Sequence, residues 1–286
     1  MSEHPTSESR IERELEKLIG SQGRGRLPAR ERRSAIVDLA WTDGRAEVEV
    51  LADHFGVTAS TIRRDLALLT SQGKLARTFG GAMAHAPVGE TSLGQRSHEA
   101  FRQKHAIAGW AAEQIGTDET VILDAGTTTA HLARALRHRD RLTVVTIGLT
   151  VVTELADADG VEVLCLGGRL RHISHGLVGP LAEAALERVS ADRVFLGADG
   201  ITVDDGICEA NLEQTRLKEL MMARAAQVYV LADGTKLGQR PFHAWARMPA
   251  SWTLVTDEGA EPAEVQRFRS AGVDVIVVDD RSRPVD

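Results

Sequence analysis

Seven short apolar runs, at 120–123, 142–146, 161–166, 193–196, 227–231, 252–255 and 273–278, recur along the C-terminal two thirds of the chain. Most are separated by stretches whose apolar residues fall at helical spacing. Runs of four to six residues with little polar alternation are strands buried on both faces, and strand–helix alternation gathers such strands into a largely parallel sheet with helices on both sides. The pattern predicts an α/β domain with a mostly parallel sheet over 96–281. At 286 residues the chain exceeds what one such core holds, so the N-terminal third is expected to form a second domain.

That third reads differently. Ala35, Ile36, Leu39 and Ala40 recur at helical spacing up to the turn signal Asp43-Gly44, and Val48, Leu51 and Ala52 mark a short second helix ending at Phe55-Gly56-Val57. Thr58 is a candidate N-cap for a third helix, with Ile62, Leu66 and Leu69 on its inner face. Three helices around so tight a turn predict a helix-turn-helix. The basic stretch Lys74-Leu-Ala-Arg-Thr-Phe79 before Gly80-Gly81 predicts a strand and hairpin, a wing. The expected organisation is a mobile tail at 1–29, a winged helix-turn-helix at 30–84, a linker at 85–95 containing Pro87 and Gly89, and the α/β domain. Arg24-Gly25-Arg26 in the tail reads as a solvated linker and is assigned no site.

Charge follows the same division. Residues 23–81 carry ten Lys or Arg against seven Asp or Glu, a balance of +3, whereas residues 82–286 carry twenty-one against twenty-nine, a balance of −8. A basic head on an acidic body suits a nucleic-acid partner for the head alone. No apolar stretch approaches the roughly 20 residues of a membrane span, and the polar start lacks a signal peptide's apolar core, so a cytoplasmic protein without a membrane partner is expected. Cys165 and Cys208 have neither metal-ligand spacing nor a disulfide framework and are expected in the core. No metal and no cofactor are expected.

The third helix crowds Thr58, Ser60, Thr61, Arg63 and Arg64 into two turns. Guanidinium groups suit guanine edges and phosphates, and hydroxyls serve bases or backbone, so this helix is expected to read double-stranded DNA, with Lys74 and Arg77 on phosphates. In the second domain the first strand runs into Asp124-Ala-Gly126-Thr127-Thr128-Thr129 and then a helix. Glycine admits a ligand to the backbone, and the helix start supplies amides and partial positive charge, the makings of a phosphate cradle. It is neither a Walker A loop nor a dinucleotide fingerprint. Gly167-Gly168-Arg169, Gly197-Ala-Asp199-Gly200 and Asp233-Gly-Thr-Lys236 stand at other strand ends, where open α/β sheets bind ligands.

Leu51-Ala-Asp-His-Phe-Gly-Val-Thr-Ala-Ser-Thr-Ile-Arg-Arg-Asp-Leu66, followed by Arg77-Thr-Phe-Gly-Gly-Ala82, resembles the DeoR family of bacterial regulators of sugar metabolism, and the resemblance runs through about residues 30 to 280. It implies a repressor of carbohydrate-metabolism genes that binds an operator as a homo-oligomer. It also implies a sensor domain of ribose-5-phosphate-isomerase type that takes a phosphorylated sugar or related effector. By that likeness Thr127, Thr128 and Thr129 with Gly126 hold phosphate, and Asp124, Asp199 and Lys236 contact hydroxyl or phosphate groups, joined by Gly168, Arg169 and Glu213. Two departures stand out: Val145-Thr146-Ile147 lacks the family's asparagine, and Asp233-Gly234-Thr235-Lys236 replaces Asp-Ser-Ser-Lys. An enzyme is the alternative, but the isomerases carry Asp-Gly-Ala-Asp-Glu where this chain has Leu196-Gly-Ala-Asp199-Gly200, so binding without turnover is expected. A DNA-binding factor that answers to no ligand is the other alternative, and a thermal shift with sugar phosphates separates it.

Overall fold

The computed structural model describes residues 28–43, 46–71, 75–78, 81–84 and 91–285. They divide into two compact units at Glu90 and Thr91. The tail before residue 28, Lys74 and the Pro87–Gly89 hinge lie outside the described residues.

The first unit runs α1 (Ala29–Asp43), β1 (Ala46–Glu47), α2 (Val48–His54), α3 (Ala59–Ser71), β2 (Leu75–Thr78) and β3 (Gly81–Ala84). Its strands order as β1-β3-β2, with β2 and β3 antiparallel and Thr78 opposite Gly81, a hairpin wing whose third strand, β1, the sequence did not signal. Ile36 from α1, Val48, Leu51 and Ala52 from α2, and Ile62, Leu66 and Leu69 from α3 close one small core around Phe55. Gly56 sits at φ +58 between α2 and α3, a left-handed turn that glycine takes without strain. The Thr58 hydroxyl accepts the Thr61 amide at 3.3 Å and caps α3. Asp65, on the buried side of α3, accepts from Arg32 Nε at 2.7 Å and from Arg33 Nη1 at 3.3 Å, pinning α3 to α1.

The second unit opens with α4 (Leu93–His98) and α5 (Phe101–Glu113). Apolar residues fall at helical spacing from Ser97 to Ile115, but the structure breaks the helix at Ala100, whose φ of +48 is left-handed. The earlier start comes from a capping box, in which Ser92 accepts the Gln95 amide and the Gln95 side chain accepts the Ser92 amide. Then follow β4 (Thr120–Leu123), α6 (Thr127–Ala135), β5 (Leu142–Thr146), α7 (Leu149–Leu155), β6 (Val161–Cys165), β7 (Arg169–Arg171), β8 (Gly176–Val178), α8 (Pro180–Leu186) and β9 (Ala191–Leu196). The chain ends through β10 (Gly200–Thr202), β11 (Gly206–Glu209), α9 (Leu212–Ala223), β12 (Ala225–Leu231), a 3-10 turn (Gly234–Lys236), β13 (Ala244–Ala246), β14 (Thr253–Asp257), α10 (Pro262–Ser270), β15 (Asp274–Val278) and β16 (Pro284–Val285).

Among the described residues the main sheet has eight strands in the order β16-β15-β14-β12-β9-β4-β5-β6, parallel except for β16. All seven apolar runs of the sequence are in it. Its two faces carry separate cores: Val121, Leu123 and Phe195 point toward α5, α6 and α7, while Ile122, Val194 and Leu196 point toward α8, α9 and α10. From β4 the chain winds outward through β5 and β6, then returns to place β9 on the other side of β4. The strand order therefore reverses between β4 and β9, and the crevice beyond their carboxyl ends is where such a sheet receives ligands. Cys208 is buried as expected, but Cys165 is exposed, because β6 is an edge strand whose end packs against no helix core.

Asp65→Ala leaves Arg32 buried without its carboxylate, which should cost the head about 3–5 kcal/mol. Urea unfolding followed by helical circular dichroism should show an early transition in this variant; an unshifted curve would mean that Asp65 does not hold α3.

Candidate functional site

Two arrangements stand out, one in each unit. In the first, α3 turns Ile62, Leu66 and Leu69 inward and leaves Thr58, Ser60, Arg63 and Arg64 exposed. The Thr58 hydroxyl lies 2.9 Å from that of Ser60 and 3.0 Å from that of Thr61, so the three form a polar cluster at the helix start. Arg63 pairs with Glu49 at 3.3 Å, both well exposed. Such a surface pair contributes less than about 1 kcal/mol, little hindrance to a phosphate or a base edge. Arg64 makes no ion pair among the described residues. Arg77 lies on β2 opposite Ala82.

The second is a cleft at the switch point. Gly126, Thr127 and Thr128 at the start of α6, Asp199 after β9 and Lys236 in the 3-10 turn line it, as the sequence suggested. The first amides of α6 have no partner within the helix. The other predicted residues go elsewhere. Thr129 is fully buried, its hydroxyl donating to the Gly126 carbonyl at 3.2 Å. Gly168 is a backbone requirement: its φ is +121 and a Cβ there would come within 2.8 Å of the Val178 carbonyl. Arg169 and Glu213 pair with each other on an exposed surface away from the cleft.

Asp124 is buried beneath the cleft and its oxygens are taken. One accepts the Ala125 amide at 2.7 Å, the other the Gly197 amide at 3.2 Å and the Lys218 ammonium. Lys218, on α9, also donates to the Gly197 carbonyl at 2.8 Å and pairs with Glu209 at 3.0 Å. Burial alone would depress the Lys218 ammonium, but Asp124 and Glu209 outweigh it and hold it above the ordinary lysine value. Burial pushes the Glu209 carboxyl up, with Asp199 and Asp124 adding to it against the pull of Lys218. Gln214 completes the network, donating to Glu209 at 2.9 Å. Its own Oε1 is buried and has no hydrogen-bond partner among the described residues, an acceptor left facing the cleft.

Sequence reading overlooked Arg96, Lys104, Glu209, Gln214 and Lys218. For two of them a signal was present. Lys104 lies on the buried stripe of α5 with Ala108 and Ala111, and Lys218 shares the inner face of α9 with Met221 and Met222. A lysine on an apolar helical stripe is either paired or functional. Among the described residues no cluster of His, Cys, Asp and Glu is placed to hold a metal, and no helix is long and apolar enough to cross a membrane.

The model of the DeoR C-terminal sensor domain matches residues 99–258, and that of the DeoR-like helix-turn-helix domain matches residues 32–87. The chain belongs to the DeoR family. This DeoR-family protein is 38% identical over 251 residues to the HTH-type transcriptional regulator GlpR of Haloferax volcanii, covering 87% of this chain and 98% of the relative. It is 34% identical to the transcriptional repressor AccR of Agrobacterium fabrum, covering 80% and 90% of the two chains. It is 32% identical to the glycerol-3-phosphate regulon repressor of Escherichia coli, covering 73% and 83%. Among solved structures, ribose 5-phosphate isomerase A of Methanocaldococcus jannaschii aligns over 48% of this chain and 55% of its own with a TM-score of 0.36 and 15% identity, a partial likeness. The DeoR-family chain is a DNA-binding transcriptional regulator: α3 is the second helix of its helix-turn-helix, and the cleft lies within its sensor domain.

Lys218→Met leaves Asp124 and Glu209 buried around an apolar end and should destabilise the sensor domain by about 3–5 kcal/mol. Lys236→Ala, at the cleft's rim, should cost less than about 1 kcal/mol. Equal effects in thermal unfolding would show that the buried network does not carry the fold.

Proposed function

We propose that this regulator represses carbohydrate-metabolism genes and that a phosphorylated sugar or a related phosphate monoester, bound in the cleft, releases it from its operator. The head reads DNA through Thr58, Ser60, Thr61, Arg63 and Arg64, with Lys74 and Arg77 on phosphates. A homo-oligomer sets two heads on paired half-sites. One observation carries the effector reading: the unpaired Gln214 Oε1, the Lys236 ammonium and the first amides of α6 line one cleft at the point where strand order reverses. An acceptor for a hydroxyl beside donors for a phosphate describes a sugar phosphate. The names of the relatives, a glycerol-3-phosphate regulon repressor among them, support the same class.

Turnover is not part of the proposal. Proton transfer needs a positioned carboxylate free to exchange its proton with substrate, whereas Asp124 and Glu209 are both held by Lys218 and the chain has Leu196 and Gly200 at the positions where the isomerases' Asp-Gly-Ala-Asp-Glu has its first aspartate and its glutamate. Asp124, Thr129, Gly168, Arg169 and Glu213 are left out of the effector contacts for the reasons of position given above.

The test is fluorescence anisotropy on DNA from upstream of the protein's own coding region, titrated with sugar phosphates and their unphosphorylated parents. Release by one phosphorylated compound, with a coupling of about 1–3 kcal/mol, is expected. Arg63→Ala or Arg64→Ala should each weaken operator binding roughly 5- to 150-fold, the equivalent of about 1–3 kcal/mol. Wild-type affinity in both would remove α3 as the reading helix, and indifference to every compound would remove the effector.

A further inference from the structure

α4 is the first helix after the head in sequence among the described residues, and two of the bonds that Arg96 makes tie it to the cleft. Its guanidinium pairs with Asp199 beyond β9, Nη1 to Oδ1 at 2.9 Å, with both side chains largely buried. Its main-chain carbonyl accepts from the Lys104 ammonium at 2.6 Å. A third tie, the Leu93 amide donating to the Ile173 carbonyl at 2.9 Å, stands apart from the cleft. The left-handed Ala100 separates α4 from α5, so α4 can shift without carrying α5 along.

Lys104 is the unusual partner in this arrangement. It is only 3% exposed, and among the described residues that one neutral carbonyl is its hydrogen-bond partner, with no carboxylate at ion-pair distance. Asp233 and Glu99 favour its charge from farther away, while Lys236 and Arg96 oppose it; burial dominates and lowers its pKa to about 8. A buried ammonium beside a second cation, at the wall of a cleft, lacks a countercharge.

The cleft is also nearly filled. Its volume is about 40 Å³, room for roughly three waters at about 10–15 Å³ each, too little for a sugar phosphate. Arg96 and Asp199 are among the groups that fill it. A cavity of about 470 Å³, lined in part by Leu93 and Ser97 of α4, shares Thr127 with the cleft, so displacement of α4 opens the cleft toward existing space.

We infer that α4 is a latch which a phosphate monoester opens: its dianion draws Lys104 away from the Arg96 carbonyl, and its hydroxyl draws Asp199 away from the Arg96 guanidinium. This rests on the reading of the cleft as the effector site. These two ties are exchanged for bonds to the ligand, and the helix they held is the one the head is joined to through residues 85–92 of the sequence. The coupling needs no movement of the sheet.

Hydrogen–deuterium exchange on the full-length protein tests it, with inorganic phosphate and ribose 5-phosphate as probes and sodium chloride at matched ionic strength as control. The amides of 93–98 should exchange at least about fivefold faster at saturating probe, the lower end of ordinary allosteric coupling. Lys104→Met should lose both the calorimetric heat of phosphate binding and the acceleration. Asp199→Asn should exchange fast without any probe, and with the wild-type titration it decides the matter should Lys104→Met fold poorly. Saturable binding of either probe to wild type with exchange at 93–98 unchanged or slowed would overturn the latch and leave the effector reading standing. No binding of either probe, together with operator DNA that no phosphorylated compound releases, would overturn the effector reading and the latch with it.

Discussion

The Lys218 ammonium, enclosed between Asp124 and Glu209, holds together the ends of β4, β9 and β11 and the middle of α9. Each of these charges gives up several kcal/mol of hydration on burial, and the arrangement persists because every one of them is met by an opposite charge or a main-chain dipole. Asp124 takes two amides as well as the lysine, which fixes the spacing of β4 and β9 where the sheet would otherwise splay. The polar groups of the cleft's floor are thereby engaged with one another and with the main chain. What remains open is the layer above it: the first turn of α6, Gln214, Lys104 and Lys236.

The body's seven strands were legible because those in the middle of the sheet carry few polar residues and even the edge strand β6, with Glu162 and an exposed Cys165, keeps enough apolar ones to be read with them, and the head because Thr58, Ile62, Leu66 and Leu69 give cap and stripe together. The cleft was legible at chain turns beyond strand ends, in Gly126, Thr127 and Thr128 at the start of α6, Asp199 after β9 and Lys236 in the 3-10 turn, but not in the residues that the helices α4, α5 and α9 bring to it. Asp124 was read as a ligand contact because an acidic residue at a strand end has the same local sequence whether it faces ligand or lysine; Lys218, ninety-four residues away, decides which. Arg169 and Glu213 misled for the same reason, since they neutralise each other across forty-four residues. The capping box at Ser92 and Gln95 is a local signal that marks the true start of the body ahead of the apolar periodicity.

The two units handle charge in opposite ways. Residues 82–286 are negative in sum, with twenty-nine acidic residues against twenty-one basic, yet the walls and floor of the cleft gather Arg96, Lys104, Lys218 and Lys236. On the proposed reading an anion in the cleft would meet donors in a low-dielectric enclosure, where each is worth more than in water, set in a body of net negative charge. The head keeps Arg63 and Arg64 on an exposed helix, where attraction acts at a distance and weakens as salt rises.

The switch point is built from both halves of a doubly wound sheet, and this sets an order in time. The head's last strand ends at Ala84, while the cleft is unfinished until Lys236 has been added. The roughly 150 residues between them take roughly 8–30 s to synthesise at ordinary rates. During that interval the growing chain carries a head whose small core is already complete in sequence, while the cleft of the body still lacks one of its walls.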